Sequence, residues 1–167
     1  DLSRLGMSAL IIDGRAIASA IRQAVADEIK RSGLKPGLGV VLVGNDPASH
    51  LYVALKEKAC AEVGILFVRH DFPSEATQEE ILHAVERLNE RDDIDALLVQ
   101  LPLPRHIDAD AVIAMMRPDK DVDGFHPDNL RAYLEGAGPM PGLGEAVSLL
   151  LDAGGAPAHG LACVMAN

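Results

Sequence analysis

The sequence predicts an α/β protein in which a parallel sheet carries helices on both faces, a three-layer arrangement. Three observations predict it. Short apolar, β-branched runs of strand length alternate with stretches whose apolar residues recur every three or four positions. Glycine stops and acidic or hydroxyl starts fall at the joins between them. The composition, 49% apolar and 24% charged over 167 residues, suits one domain with a real core, or one domain plus a fragment. Aromatic residues make up only 3% and Trp is absent, so that core must be aliphatic.

The elements follow in order. Ile17, Ile21, Val25 and Ile29 give one apolar helix face, and Gly33 is a natural stop after it. Residues 38–43 form a buried strand, and Gly44-Asn45-Asp46-Pro47 form a turn. A helix over 48–63 closes at Gly64, and 65–70 reads as a second strand. Thr77 and Glu80 make a capping box for a helix carrying Ile81, Leu82, Val85 and Leu88. Residues 96–101 form a third strand, ended by Pro102 and Pro104. Asp108 caps a helix containing Val112 and Met115, residues 118–129 read as a loop, and a last helix covers 142–152. Strands and helices alternate at βαβ spacing, so a ligand is expected at the carboxyl ends of the strands.

Composition also narrows the function. A formal net charge of −10 argues against nucleic acid or an anionic membrane as a general partner, while leaving room for a small anion held by local cations. Cys60 and Cys163 make no disulfide framework and no zinc spacing, which favours a reduced, cytoplasmic setting. No apolar run reaches membrane-spanning length and no signal-peptide pattern opens the chain. Asp1 to Gly6 read as a leftover upstream of a start at Met7. His50, His70, His83, His106, His126 and His159 are scattered and read as surface residues.

Three segments converge on the expected rim. In the first, Ser49, Tyr52 and Lys56 share one helix stripe: a hydroxyl, an aromatic plate and an ammonium able to clamp a flat polar ligand. A solvated lysine beside a half-buried tyrosine fits the same spacing. In the second, Gln100 ends an otherwise apolar strand just before Pro102; its amide can reach a ligand or Lys56, or simply bond backbone and water. The third places Asp119, Asp121 and Asp123 at alternate positions before Gly124. That resembles the start of a calcium loop, but Leu130 stands where a bidentate Glu is required, so no metal is expected. Asp121 and Asp123 suit a ligand N–H pair, or a solvated turn.

Taken together, the segments resemble the methylenetetrahydrofolate dehydrogenase/cyclohydrolase family. Its G-x-D-P-A-S-x-x-Y-V-x-x-K signature stands here as Gly44 to Lys56, V-Q-L-P-L-P as Val99 to Pro104, and P-x-K-D-V-D-G-F-H-P as Pro118 to Pro127. The likeness spans Leu10 to Leu151. It implies a folate-binding catalytic domain over 7–153, with Lys56 as the catalytic lysine and Gln100 holding it. It implies that Tyr52 stacks on the folate, Asp123 binds the pterin nitrogens, and Ser49 and Pro102 line the site. A lysine serves as acid or base when burial brings its pKa toward neutrality. The implied chemistry interconverts methylene-, methenyl- and formyltetrahydrofolate, with NADP taking the hydride, in a cytoplasmic homodimer of one-carbon metabolism that supports purine biosynthesis.

The sequence departs from the family twice. Pro141 runs straight into Gly142, where the family has an intervening Cys-Thr-Pro stretch. The family's Rossmann cofactor domain, with its Gly-Arg-Ser phosphate loop, is largely absent from the sequence. Residues 154–167 read as a tail in which 161–167 resemble the family's final helix, which packs back on the catalytic domain. The expectation is that pieces of a longer polypeptide are joined near 141/142 and 160/161. The alternative is a truncated folate-binding paralogue without hydride transfer.

Overall fold

Asp13 opens the first helix, α1 (Gly14–Ser32), by accepting from the backbone N–H groups of Arg15 and Ala16 at 3.0 and 3.1 Å. This satisfies donors that a helix start leaves without partners. The computed structural model describes residues 11–155. Gly33, at φ +70, closes α1 in the left-handed conformation that a side chain disfavours. The chain continues through β1 (Gly37–Val43), α2 (Pro47–Val63) and β2 (Leu66–Phe72). It then forms α3 (Gln78–Asn89), β3 (Ala96–Val99) and α4 (Ala109–Met115). After a 3-10 turn at Pro118–Lys120 come α5 (Pro127–Leu134) and α6 (Gly142–Ala153). Both halves of the Thr77–Glu80 capping box form, and Asp108 caps α4.

The strands make a parallel sheet in the order β2-β1-β3, with Gly39 opposite Val68 on one side and Leu97 on the other. Strand alternation sends neighbouring side chains to opposite faces. Val41, Val43, Leu97 and Val99 meet Ile81, Val85 and Leu88 of α3 and Val112 and Ile113 of α4. Val40, Leu42 and Leu98 meet Val53 of α2 on the other face. Helix α1 packs against α2. The layers are therefore helix, sheet, helix, as expected, and the core is aliphatic.

Several local expectations need correction. The α1 stripe is only partly covered: Ile21 and Val25 remain 43% and 38% exposed, and Ala26 is the helix's buried residue. Strand β2 runs on to Phe72, because it stays paired with β1 as far as Val43. Strand β3 ends at Val99, although the Gln100 N–H still donates to Val41 O at 2.9 Å. Residues 118–129 are not all loop: α5 starts at Pro127, with His126 as its cap. His126 is buried rather than on the surface; its Nδ1 accepts from the Asp128 N–H at 3.1 Å. The expected leftover at 1–6, the C-terminal helix at 161–167 and the join near 160/161 lie outside the described residues.

Candidate active site

The carboxyl ends of the strands carry the chemistry-bearing residues. At the end of β1, Gly44 turns the chain at φ +88 and donates its N–H to Phe72 O at 2.9 Å. The Asp46 carboxylate then caps α2, accepting from the Ser49 N–H at 2.7 Å and the Ser49 hydroxyl at 2.8 Å. Those bonds, the backbone one first, hold Asp46 below the usual carboxylate range. Buried Ser49 thus donates its hydroxyl hydrogen to the helix cap.

Tyr52 and Lys56 follow on α2, one turn apart and on one face. Tyr52 is 56% exposed, so its ring is an open plate at the rim. Lys56 is half-buried, and its Nζ donates to Gln100 Oε1 at 2.9 Å. The Gln100 orientation follows from its other bond. Its Nε2 donates to Leu101 O at 2.8 Å, which turns the amide oxygen toward the ammonium. Pro102 follows, exposed, after a cis Leu101-Pro102 bond.

The third segment reaches the rim through a bridge between Leu97 and Asp121 beside β3, with Val122 N–H donating to Leu97 O at 3.3 Å. The two aspartates take different parts there. Asp121 turns inward: one oxygen accepts from Gly124 N–H at 3.1 Å, the other from His126 N–H at 2.7 Å and Asn129 Nδ2 at 2.9 Å. Asp121 is a hub for the loop. Asp123 makes no hydrogen bond of that kind. Burial raises its pKa, the Asp121 charge raises it further, and the nearby Lys56 ammonium pulls it down. Sequence reasoning missed Lys120, which is buried with its Nζ donating to Asn89 O and Arg91 O, both at 2.8 Å. It pins the loop to the end of α3 and carried no signal beyond its place in a short charged run.

Lys56 and Gln100 therefore meet, with Tyr52 one helical turn away and Asp123 within range of the ammonium's charge. Among the described residues, no cluster of three or more His, Cys, Asp or Glu side chains is arranged to hold a metal ion. At the starts of α2 and α4, Asp46 and Asp108 each accept from a first-turn N–H, so a carboxylate already stands where a dinucleotide's pyrophosphate would bind.

An ammonium bonded to a carboxamide, with a half-buried carboxylate within range of its charge, makes this rim of a parallel α/β domain a candidate small-molecule site with groups suited to acid–base chemistry. Comparison with known proteins narrows the class. Residues 12–123 match the family described as tetrahydrofolate dehydrogenase/cyclohydrolase, catalytic domain. The chain belongs to this family. The bifunctional FolD methylenetetrahydrofolate dehydrogenase/cyclohydrolase of Campylobacter jejuni is 37% identical, with a TM-score of 0.83 over 89% of this chain and 54% of that one. The Trypanosoma brucei methylenetetrahydrofolate dehydrogenase-cyclohydrolase, solved with NADP and an inhibitor, is also 37% identical, with a TM-score of 0.84 over 89% and 53%. The NAD-dependent methylenetetrahydrofolate dehydrogenase of Saccharomyces cerevisiae shares the fold at 16% identity, with a TM-score of 0.73 over 83% of this chain and 48% of that one. The chain spans about half the length of these solved structures.

Proposed function

We propose that this chain supplies the folate-binding, proton-handling site of a methylenetetrahydrofolate dehydrogenase/methenyltetrahydrofolate cyclohydrolase. The observation that carries the reading is the Lys56 Nζ–Gln100 Oε1 bond of 2.9 Å with Asp123 within reach of the ammonium's charge. In this reading Asp123 accepts two N–H groups of the pterin, and Tyr52 stacks on the ligand's flat face. Ser49 and Pro102 line the rim. Lys56 handles the proton of the cyclohydrolase step. Water's oxygen bonds the cationic methenyl carbon, and the carbon's bond to one ring nitrogen breaks. That nitrogen keeps one of the water's protons. The other leaves to solvent through the Lys56 amine, and the product is formyltetrahydrofolate.

The dehydrogenase step transfers a hydride from methylenetetrahydrofolate to a nicotinamide dinucleotide, here read as NADP, and we derive no step of it from the residues described. The same reading includes a homodimer in the cytoplasm, serving one-carbon metabolism and purine biosynthesis, and rests there on family likeness alone. The test follows two reactions: loss of the methenyl chromophore, and NADP-dependent oxidation of methylenetetrahydrofolate. Hydrolysis by the chain supports the site. Hydrolysis without oxidation favours a folate-binding protein that lacks hydride transfer. Absence of both hydrolysis and folate binding would overturn the proposal.

A further inference from the structure

We propose that the hollow between α1 and α2 is a subsite for an anionic tail on the substrate, a short chain of γ-linked glutamates; the inference rests on the function proposed above and adds the form of folate that the site favours. The hollow, of about 280 Å³, is lined by Arg22 of α1 and by Leu55, Lys58, Ala59 and Glu62 of α2. Arg22 Nε stands 3.0 Å from Glu62 Oε2, off the line of a hydrogen bond. Lys58 is exposed and has no hydrogen bond or ion pair among the described residues. Glu57, its neighbour in sequence, acts on Arg69 of β2 instead. With Glu62 offset by Arg22, the Lys58 ammonium leaves the hollow with one net positive charge, on a chain whose formal net charge is −10.

Helix geometry connects this hollow to the candidate site. Each residue turns an α-helix by about 100° and advances it by about 1.5 Å. Viewed down α2, Lys56 lies about 40° to one side of Tyr52 and Leu55 about 60° to the other. The Lys56 side is the one that meets Gln100 and feels the Asp123 charge. A flat ligand with one end there and its face on Tyr52 leaves over Leu55, and both residues are open, at 56% and 54% exposed. Lys58 and Glu62 continue that flank, and Ala59 lies almost in line with Tyr52, about 10 Å further along the axis. An extended peptide advances about 3.5 Å per residue. A γ-linkage lengthens each step, so two or three glutamates cover the distance. The chemistry matches along the path: methylenes pass Leu55 and Ala59, and carboxylates meet the Lys58 ammonium and the Arg22 guanidinium.

The readout is a ratio: the KM for methenyltetrahydrofolate monoglutamate over the KM for the triglutamate, each from loss of the methenyl chromophore. Taking the ratio within each protein cancels any general loss of folding or rate. The parent chain is expected to give about three to ten, the worth of one charge-assisted contact at an exposed site. The ratio should fall toward one in high salt, which screens exposed charges. Lys58→Gln should bring it close to one. Glu62→Gln removes the acid from the hollow and frees Arg22, so it should raise the ratio above the parent's. A parent that hydrolyses both folates with equal KM would overturn this proposal and leave the function above standing. So would a Lys58→Gln variant that keeps the parent's ratio, because the tail is then held elsewhere, or a Glu62→Gln variant whose ratio falls. If the parent neither binds nor hydrolyses either folate, the function proposed above falls and the subsite falls with it.

Discussion

Replacing Lys56 by Met separates chemistry from folding at this site. Met keeps most of the stem and removes the ammonium. The structural loss is one hydrogen bond, 2.9 Å to Gln100 Oε1, together with the charge that offsets the burial of Asp123. A hydrogen bond to a charged group is worth about 1.5–3 kcal/mol. Lys56 and Gln100 are both only half-buried, so water can take over part of the bond. The net cost is then about 1–2 kcal/mol, a fall in Tm of roughly 2–8 °C for a domain of this size. A positioned acid or base contributes about 10²–10⁴ in rate. Turnover of methenyltetrahydrofolate should therefore drop at least about a hundredfold while the variant stays folded. The assay is loss of the methenyl chromophore, run beside a thermal melt in the same buffer. Turnover within about threefold of wild type, in a folded variant, would refute the assignment of Lys56.

Three further outcomes follow from the same geometry. Asp123→Asn should abolish tight folate binding yet stabilise the chain at neutral pH. Burial holds the folded carboxyl above its ordinary range, so the wild type is penalised as pH rises through the folded pKa; denaturant midpoints should show the variant's advantage fade below about pH 4, where the unfolded carboxyl is also protonated. Asp121→Asn should cost about 1–3 kcal/mol in chemical denaturation, because an amide N–H then faces donors that the carboxylate accepted, and it should weaken folate binding by loosening the loop that presents Asp123. Gly37→Ala should cost about 3 kcal/mol by the same measurement, since its Cβ would stand 1.9 Å from Asp93 O, a backbone atom at the approach to β3.

How much of this was legible depended on whether the determining contact is local. The α1, α3 and α4 starts rest on side chains within three residues of the backbone groups they bond, and Asp13, Thr77 and Asp108 all act as caps. Short continuous apolar runs located β1 and β3, and their register separates the Val41 and Val40 faces. The α5 start was missed although its signal is local: His126 as cap, Pro127 in the first turn and the Leu130/Leu134 spacing. The density of Asp, Pro and Gly before it drew the loop reading too far. The Lys56–Gln100 bond joins residues 44 positions apart, and from pattern alone each residue also fitted a solvated role. What distinguished Asp123 from Asp121 lay wholly outside sequence pattern. Both are acids at alternate positions, and only the folded loop turns one onto Gly124, His126 and Asn129 and leaves the other half-buried without such bonds, within range of the Lys56 charge.

The division between those two aspartates explains how a half-buried acid is kept in place. A carboxylate disfavoured by burial tends to swing toward solvent unless its backbone is fixed by other means. Here the backbone is fixed twice: at Asp121, whose two oxygens take three donors, and at Lys120, whose ammonium closes the end of α3. Neither side chain hydrogen-bonds Asp123, although the Asp121 charge adds to burial in raising its pKa. The same separation holds on α2, where Asp46 and Ser49 secure the helix start and Lys56 is left with one hydrogen bond, to Gln100. An ammonium with this one bond, and a carboxyl within range of its charge that burial makes easier to protonate, suit the proton-transfer role proposed for the site. Its stability cost is borne by an aliphatic core in which Val40, Val41, Leu42, Ile81 and Val112 are almost wholly enclosed.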